Sequence, residues 1–192
     1  MSLGERGFAE LAFAQVQVEM LPGEPPWEPQ NYDNRFSGPM SLKEAFYQSR
    51  NIPAIKVGME IGPQAVIGEA ARFGITTPVP PFPSVYIGSA TVIPLELISA
   101  FSTFSNMGTR TTPFAIDRVE DRNGNVLWEP TPRSEVVMDS ALAYLMIDGM
   151  KNVVRRGTAA SAVGSLIGTL PAGGQTGTTN DGFDVWYIGF TP

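Results

Sequence analysis

The spacing of apolar positions changes several times along the chain, and each change marks an element. Residues 21–39, LPGEPPWEPQNYDNRFSGP, show no period and read as an extended loop, with Trp27, Tyr32 and Phe36 expected to pin it to a surface. At Ser41 the pattern turns helical: Ser41 and Glu44 match a capping box, with the Ser oxygen accepting from the Glu44 N–H while the carboxylate reaches back, and a short helix runs to about residue 48. Pro53 suits the first turn of a second helix, whose Ile55, Val57 and Met59 are apolar all round and so predict burial. A third helix fits residues 63–73, with Gly74 as its left-handed C-terminal residue. PLELISAFSTFSNMG has Pro94 at its start, Leu97, Phe101 and Phe104 at i, i+4 and i+7, and Gly108 at its end. Asp139 is placed to cap a long helix to about residue 154, in which Leu142, Leu145, Met146, Met150 and Val153 keep the helical period and Gly157 is the stop.

Alternation takes over elsewhere. FAIDRVEDRNGNVLWEP predicts a hairpin turning at Asn123-Gly124, and residues 173–178 and 184–190 predict two strands joined by Asn180-Asp181-Gly182. The fold class is therefore α+β, a helical subdomain packed on an antiparallel sheet. With four strands predicted and nothing beside the last, that sheet looks incomplete.

Composition narrows the chemistry. The 192 residues are 43% apolar and 17% charged, which fits one globular domain, and a net charge of −6 without a Lys/Arg cluster argues against nucleic acid as a partner. No apolar run reaches the 18 residues that a membrane-spanning helix needs. There is no cysteine and no histidine, so thiol nucleophiles, Ser-His-Asp triads and Cys- or His-ligated zinc are excluded. Nucleophilic chemistry has to use Ser or Thr activated by Lys, a carboxylate or an amine, or take a partner from outside the chain. No motif calls for a metal or an organic cofactor.

Two stretches carry candidate chemistry. Ser49 and Asn51 flank Arg50 in the linker between two helices, where a hydroxyl and an amide two residues apart can project from one turn; the competing reading is that they cap a helix end and a helix start. Residues 173–179 are so poor in side chain that an extended peptide could pair with their backbone while Thr176 and Thr178 grip a carboxylate and a backbone N–H stabilises an oxyanion. The competing reading there is a glycine-rich edge beside a turn. Phe101, Phe104 and Met146 are read as core, Asp181 and Asp184 as turn or strand-end groups, and Arg50 and Lys56 as serving solvent or local carboxylates.

NYDNRFSGPMSLKEAFYQSRNIPAIKVG, YIGSATVIPLELISAFSTFSNMGTRTTP and GGQTGTTNDGFDVWYIGFTP resemble, in order and wording, the transpeptidase domain of class A penicillin-binding proteins. The resemblance covers residues 27–192, leaves 1–26 poorly matched, and implies the penicilloyl-serine transpeptidase/β-lactamase-like fold. Such enzymes place Ser-x-x-Lys, Ser-x-Asn and Lys-Thr-Gly around one cleft. By resemblance Ser49 passes a proton to or from the leaving group, Asn51 holds the substrate amide, and Gln175, Thr176, Gly177 and Thr178 form the wall that pairs with a D-Ala-D-Ala stem peptide or a β-lactam.

Two departures stand out. Position 175 is Gln where the family has Lys, which removes a cation. Ser-x-x-Lys is absent, because Lys43, Lys56 and Lys151 follow Met40, Pro53 and Asp148 at that spacing. The resemblance therefore implies part of a longer domain: an inactive portion of a serine-type DD-transpeptidase whose parent cross-links peptidoglycan at the outer face of the bacterial cytoplasmic membrane. That parent would carry an anchor and a glycosyltransferase domain outside these residues. The alternative is a non-catalytic scaffold that binds stem peptides or partner proteins.

Overall fold

The computed structural model describes Val18, residues 26–179 and residues 182–192. In chain order it contains α1 (Leu42–Tyr47), α2 (Asn51–Ile61), α3 (Pro63–Arg72), α4 (Pro94–Ser105), β1 (Thr109–Thr111), β2 (Val119–Glu120), β3 (Val126–Trp128), β4 (Ser134–Val136), α5 (Ser140–Arg156), α6 (Ser165–Ile167), β5 (Gly173–Thr178) and β6 (Val185–Phe190). A 3₁₀ turn at Pro83–Ile87 packs on α2, and a π-helical turn at Ala160–Gly164 follows α5.

Local chemistry places most of these ends. Ser41 Oγ accepts from the Glu44 N–H at 3.2 Å; the Glu44 carboxylate, expected to reach back to Ser41, instead accepts from Gln48 Nε2 at 3.0 Å. Asp139 Oδ1 accepts from the Ala141 N–H at 2.8 Å, and Pro94 occupies the first turn of α4. The β2–β3 turn has Gly124 at φ 83° and an Asp121 carboxylate that accepts from the backbone of Asn123 and Asn125. Of the predicted terminal turn, Asn180 and Asp181 lie outside the described residues; Gly182 adopts φ 69°.

The fold is α+β, with helices and antiparallel pairs β1–β4, β2–β3 and β5–β6. The sequence predicts four strands, and the described residues add β1 and β4. Each has three residues, and their partners lie across a long separation: Arg110 opposes Glu135 with an ion pair at 3.2 Å, and Thr111 opposes Ser134 with a hydroxyl contact at 3.0 Å.

Two apolar clusters hold the helices. One gathers Phe73, Ile75, Ala100 and Val137 with Leu97 and Phe104 packed on it. The other gathers Val153, Val154 and Ala159 of the α5 end, with Phe46 and Tyr47 of α1 and Tyr187 of β6, and so clamps α1 to the terminal hairpin.

Three expectations need correction. Leu142 and Leu145 keep the helical period of α5 but are exposed, while Ala143, Met150, Val153 and Val154 are buried. A small residue favours this face: a Cβ on Gly149 would stand 3.0 Å from the Phe46 ring, so Gly149 lets α1 pack closely on α5. On α2, Met59 is also exposed, whereas Ile52, Pro53, Ile55 and Gly58 form the buried side. Of the loop aromatics, Trp27 is half-buried with its backbone bridged to Val18, but Tyr32 and Phe36 do not pin the segment, being 86% and 40% exposed. Polar groups hold it instead. Asn31, itself buried, accepts from the Ile52 N–H at 3.3 Å and donates to Arg35 O at 2.8 Å, and Arg50, whose side chain is only 9% exposed, grips Asp33, Arg35 O and Ser37 Oγ.

Burial sets the expected cost of substitution. Met150→Ala should destabilise the chain by about 2–5 kcal/mol, as buried methionine truncations do, whereas Leu145→Ala should stay within about 0.5 kcal/mol, as exposed positions do. Urea denaturation of the two variants checks this, and equal losses would return Leu145 to the core.

Candidate functional site

The end of α1 has a particular geometry. The Ser49 N–H donates to Phe46 O at 3.0 Å and the Arg50 N–H to Ala45 O at 2.9 Å, the paired bonds of a Schellman closure. That closure needs a left-handed residue, and Ser49 fills it at φ 52° where glycine is usual. A left-handed L-residue costs about 1–2 kcal/mol. The Ser49 hydroxyl recovers none of it locally, having no hydrogen-bond partner among the described residues.

Asn51 is the first residue of α2, not its cap; the cap position is Arg50, without a side-chain hydrogen bond. The Asn51 side chain donates from Nδ2 to Gln30 O at 2.8 Å, which fixes the amide against the 27–39 loop and leaves its oxygen without a donor among the described residues. The capping alternative therefore fails for both side chains. Arg50 between them holds the loop, and its guanidinium keeps the Asp33 carboxyl below the usual carboxylate range.

The terminal hairpin meets this corner. Gln175 Nε2 donates to Phe46 O at 3.4 Å, the same carbonyl that accepts the Ser49 N–H. Gln175 Oε1 accepts from the Thr176 N–H at 3.0 Å, so both ends of the amide are engaged. The Thr158 N–H, just past α5, donates to Tyr47 O at 3.3 Å, while the Thr158 hydroxyl meets the Thr176 hydroxyl at 2.6 Å. Ser49, Gln175 and Thr176 are thus brought together at one seam.

Strand pairing tells which way the edge faces. The Thr179 N–H donates to Asp184 O, and hydrogen-bonded pairs alternate along an antiparallel ladder, so Gly177 and Gln175 bond to β6 while the backbone groups of Thr176 and Thr178 turn to the other edge. The glycines differ in their reasons. A Cβ on Gly174 would stand 2.5 Å from Ile188 O, but one on Gly177 would meet nothing within 4 Å. Internal packing requires the first glycine, and the second leaves the edge bare.

Charge is scarce here. Lys43 pairs with Asp148 at 2.6 Å and lowers that carboxyl, Arg156 lies 4.8 Å over the Tyr47 ring, and position 175 is neutral. Burial raises the Tyr187 hydroxyl, which stays a neutral donor to Gly173 O at 3.4 Å. Among the described residues no cluster of acidic side chains could hold a metal, and no helix is long and apolar enough to cross a membrane. A depression of about 550 Å³ beside the α5 end, lined by Val154, Arg155, Ser165 and Leu170 among others, shares no residue with the seam.

Sequence reasoning missed Thr158 and Phe46. Gly157-Thr158 read only as a helix stop, yet a Cβ on Gly157 would collide with Tyr47 O, which marks the close approach of chain segments that brings Thr158 to β5.

The chain is similar to known proteins in sequence and in fold. The family described as penicillin binding protein transpeptidase domain matches residues 13–192. Penicillin-binding protein 1B of Haemophilus influenzae is 33% identical over 168 residues, 87% of this chain and 21% of the relative. Penicillin-binding protein 1A of Neisseria meningitidis serogroup A is 35% identical over 182 residues, 90% of this chain and 23% of the relative. The chain therefore spans less than a quarter of the length of these relatives. Among solved structures, penicillin-binding protein 1A of Haemophilus influenzae superposes with a TM-score of 0.86 at 24% identity, over 95% of this chain and 32% of that one. Penicillin-binding protein A of M. tuberculosis, in an imipenem acyl-enzyme complex, gives 0.78 at 20% identity over 95% and 46%. These likenesses establish the fold.

The strain at Ser49 yields a stability test. Ser49→Gly relieves the left-handed cost but adds about 0.5–1 kcal/mol of unfolded-state entropy, so it should leave stability unchanged or raise it by up to about 1.5 kcal/mol. Ser49→Ala should be close to neutral. A loss above about 1 kcal/mol in both variants, read by thermal and urea unfolding, would show that the hydroxyl caps α1 after all.

Proposed function

The chain belongs to the penicillin-binding-protein transpeptidase family, and from that premise we propose that it is the substrate-gripping part of a serine-type D-Ala-D-Ala transpeptidase. A serine elsewhere in the whole gene product attacks the penultimate D-Ala carbonyl. An ester forms, the peptide bond to the terminal D-Ala breaks, and the serine proton passes to the departing amine. An amine from a neighbouring stem peptide then attacks the ester, the acyl group moves to nitrogen, and the serine regains a proton.

Within this scheme Ser49 relays the proton, Asn51 holds the substrate amide through its side-chain oxygen, and the β5 edge pairs with the stem peptide. Thr176 and Thr178 hydroxyls bind the terminal carboxylate, and the Thr178 N–H stabilises the oxyanion, a contribution typically worth about 10²–10³ in rate. β-Lactams enter as stem-peptide mimics at the same edge, and the chemistry belongs at the outer face of the cytoplasmic membrane. A membrane anchor and a glycosyltransferase domain in the whole gene product complete the proposal.

One observation carries it: Phe46 O accepts from both the Ser49 N–H and Gln175 Nε2, joining the hydroxyl–amide corner to the peptide-pairing edge. A second reading, a non-catalytic stem-peptide scaffold, draws support from Gln175, which is neutral and has both ends of its amide engaged.

Labelled penicillin separates the two. The whole gene product should form a covalent adduct on a serine outside these 192 residues, the 192-residue chain alone should form none, and Ser49→Ala in the whole product should slow acylation by about 10²-fold or more. A whole product that is never labelled supports the scaffold, and an adduct on the 192-residue chain contradicts the assignment of the nucleophile.

A further inference from the structure

Thr158 lies outside every motif considered so far, yet its hydroxyl touches Thr176 at 2.6 Å. Its backbone is held from both sides. The Thr158 N–H donates to Tyr47 O at 3.3 Å, Gly157 before it has no room for a side chain against that carbonyl, and Ala159 after it is buried with its N–H on Val153 O at 3.2 Å. The side chain itself is exposed, so a fixed backbone presents a hydroxyl to the open edge of β5.

The proton count at Thr176 gives this contact a direction. The Thr176 N–H is taken by Gln175 Oε1, so the hydroxyl is the proton donor that Thr176 has left to offer a ligand. Each threonine hydroxyl carries one proton and accepts through its lone pairs. At 2.6 Å one of the two donates to the other, and only donation from Thr158 leaves the Thr176 proton available to an anion. A neutral residue at position 175 makes that proton count for more, because no charge there helps hold the carboxylate.

We propose that Thr158 is a positioning residue: it donates its hydroxyl proton to Thr176 Oγ1 and thereby directs the Thr176 proton at the terminal carboxylate of the bound peptide. The proposal rests on the reading of the β5 edge as a stem-peptide site.

The test compares an N-acylated D-Ala-D-Ala dipeptide as its free carboxylate and as its C-terminal amide, with equilibrium binding to the whole gene product measured by calorimetry. The wild type should prefer the carboxylate by about tenfold, the size of one hydrogen bond to a charged group. Thr158→Val should cut that preference to about twofold or less while leaving the amide's affinity unchanged, and Thr158→Ser should restore it. A Thr158→Val variant that keeps the wild-type preference overturns the proposal, as does equal weakening of acid and amide, the mark of a purely structural role. A wild type that does not distinguish the two dipeptides removes the carboxylate site itself and takes the proposal with it.

Discussion

A helix end leaves carbonyls without intrahelical partners, and in this protein the site is assembled on those of α1. Carbonyls that no turn of helix can satisfy need donors from elsewhere. Phe46 O takes the N–H of Ser49 and the side-chain amide of Gln175, and Tyr47 O takes the N–H of Thr158. Three segments far apart in the chain, the α1–α2 linker, the α5 exit and β5, are thereby held at one place. Beneath them Val153, Val154 and Ala159 bury the apolar sides of Phe46, Tyr47 and Tyr187. The non-directional apolar contact brings α1 and the hairpin together, and the hydrogen bonds to the two carbonyls set their register.

That arrangement explains why costly residues occupy the seam. Ser49 sits in a conformation that favours glycine, and its hydroxyl takes no local partner, so the strain is offset by the surrounding Schellman bonds and by the Arg50 grip on the 31–37 loop. Gln175 shows the opposite economy. Where the family resemblance implies a cation, this chain places a neutral amide whose donor and acceptor are both engaged internally in a tie across the seam. On the proposed reading, anion binding then falls to hydroxyls and backbone N–H groups.

Much of this was legible in the sequence, for reasons that can be named. Ser41, Asp139, Pro94 and the Asn123-Gly124 turn act through their own backbone neighbourhood, so the elements they bound form where local chemistry predicts. The candidate residues at 49, 51 and 175–178 were proposed from motif resemblance, and the seam that brings Ser49, Gln175 and Thr176 together was not legible. Tertiary choices are what periodicity misses: Leu142 and Leu145 fit the helical repeat as well as Met150 and Val153 do, and the elements packed on α5, with Phe46 close to Gly149, select the buried face. β1 and β4 escaped because strands of three residues, all polar in β1 and two of three polar in β4, carry no apolar alternation, and their pairing is set by Arg110 meeting Glu135. Thr158 escaped because nothing in a helix stop announces which strand it will touch.

The central claim is that the Ser49–Asn51 corner and the β5 edge form two sides of one peptide-binding groove, held by the carbonyls of Phe46 and Tyr47. A crystal structure of the whole gene product with a D-Ala-D-Ala peptide tests this most directly. The account predicts a peptide backbone paired with Thr178, its carboxylate on the Thr176 and Thr178 hydroxyls, and Ser49 Oγ within about 2.6–3.2 Å of the scissile nitrogen or one water away. A peptide bound elsewhere, or a Ser49 hydroxyl turned back onto α1 with the β5 edge empty, would contradict it.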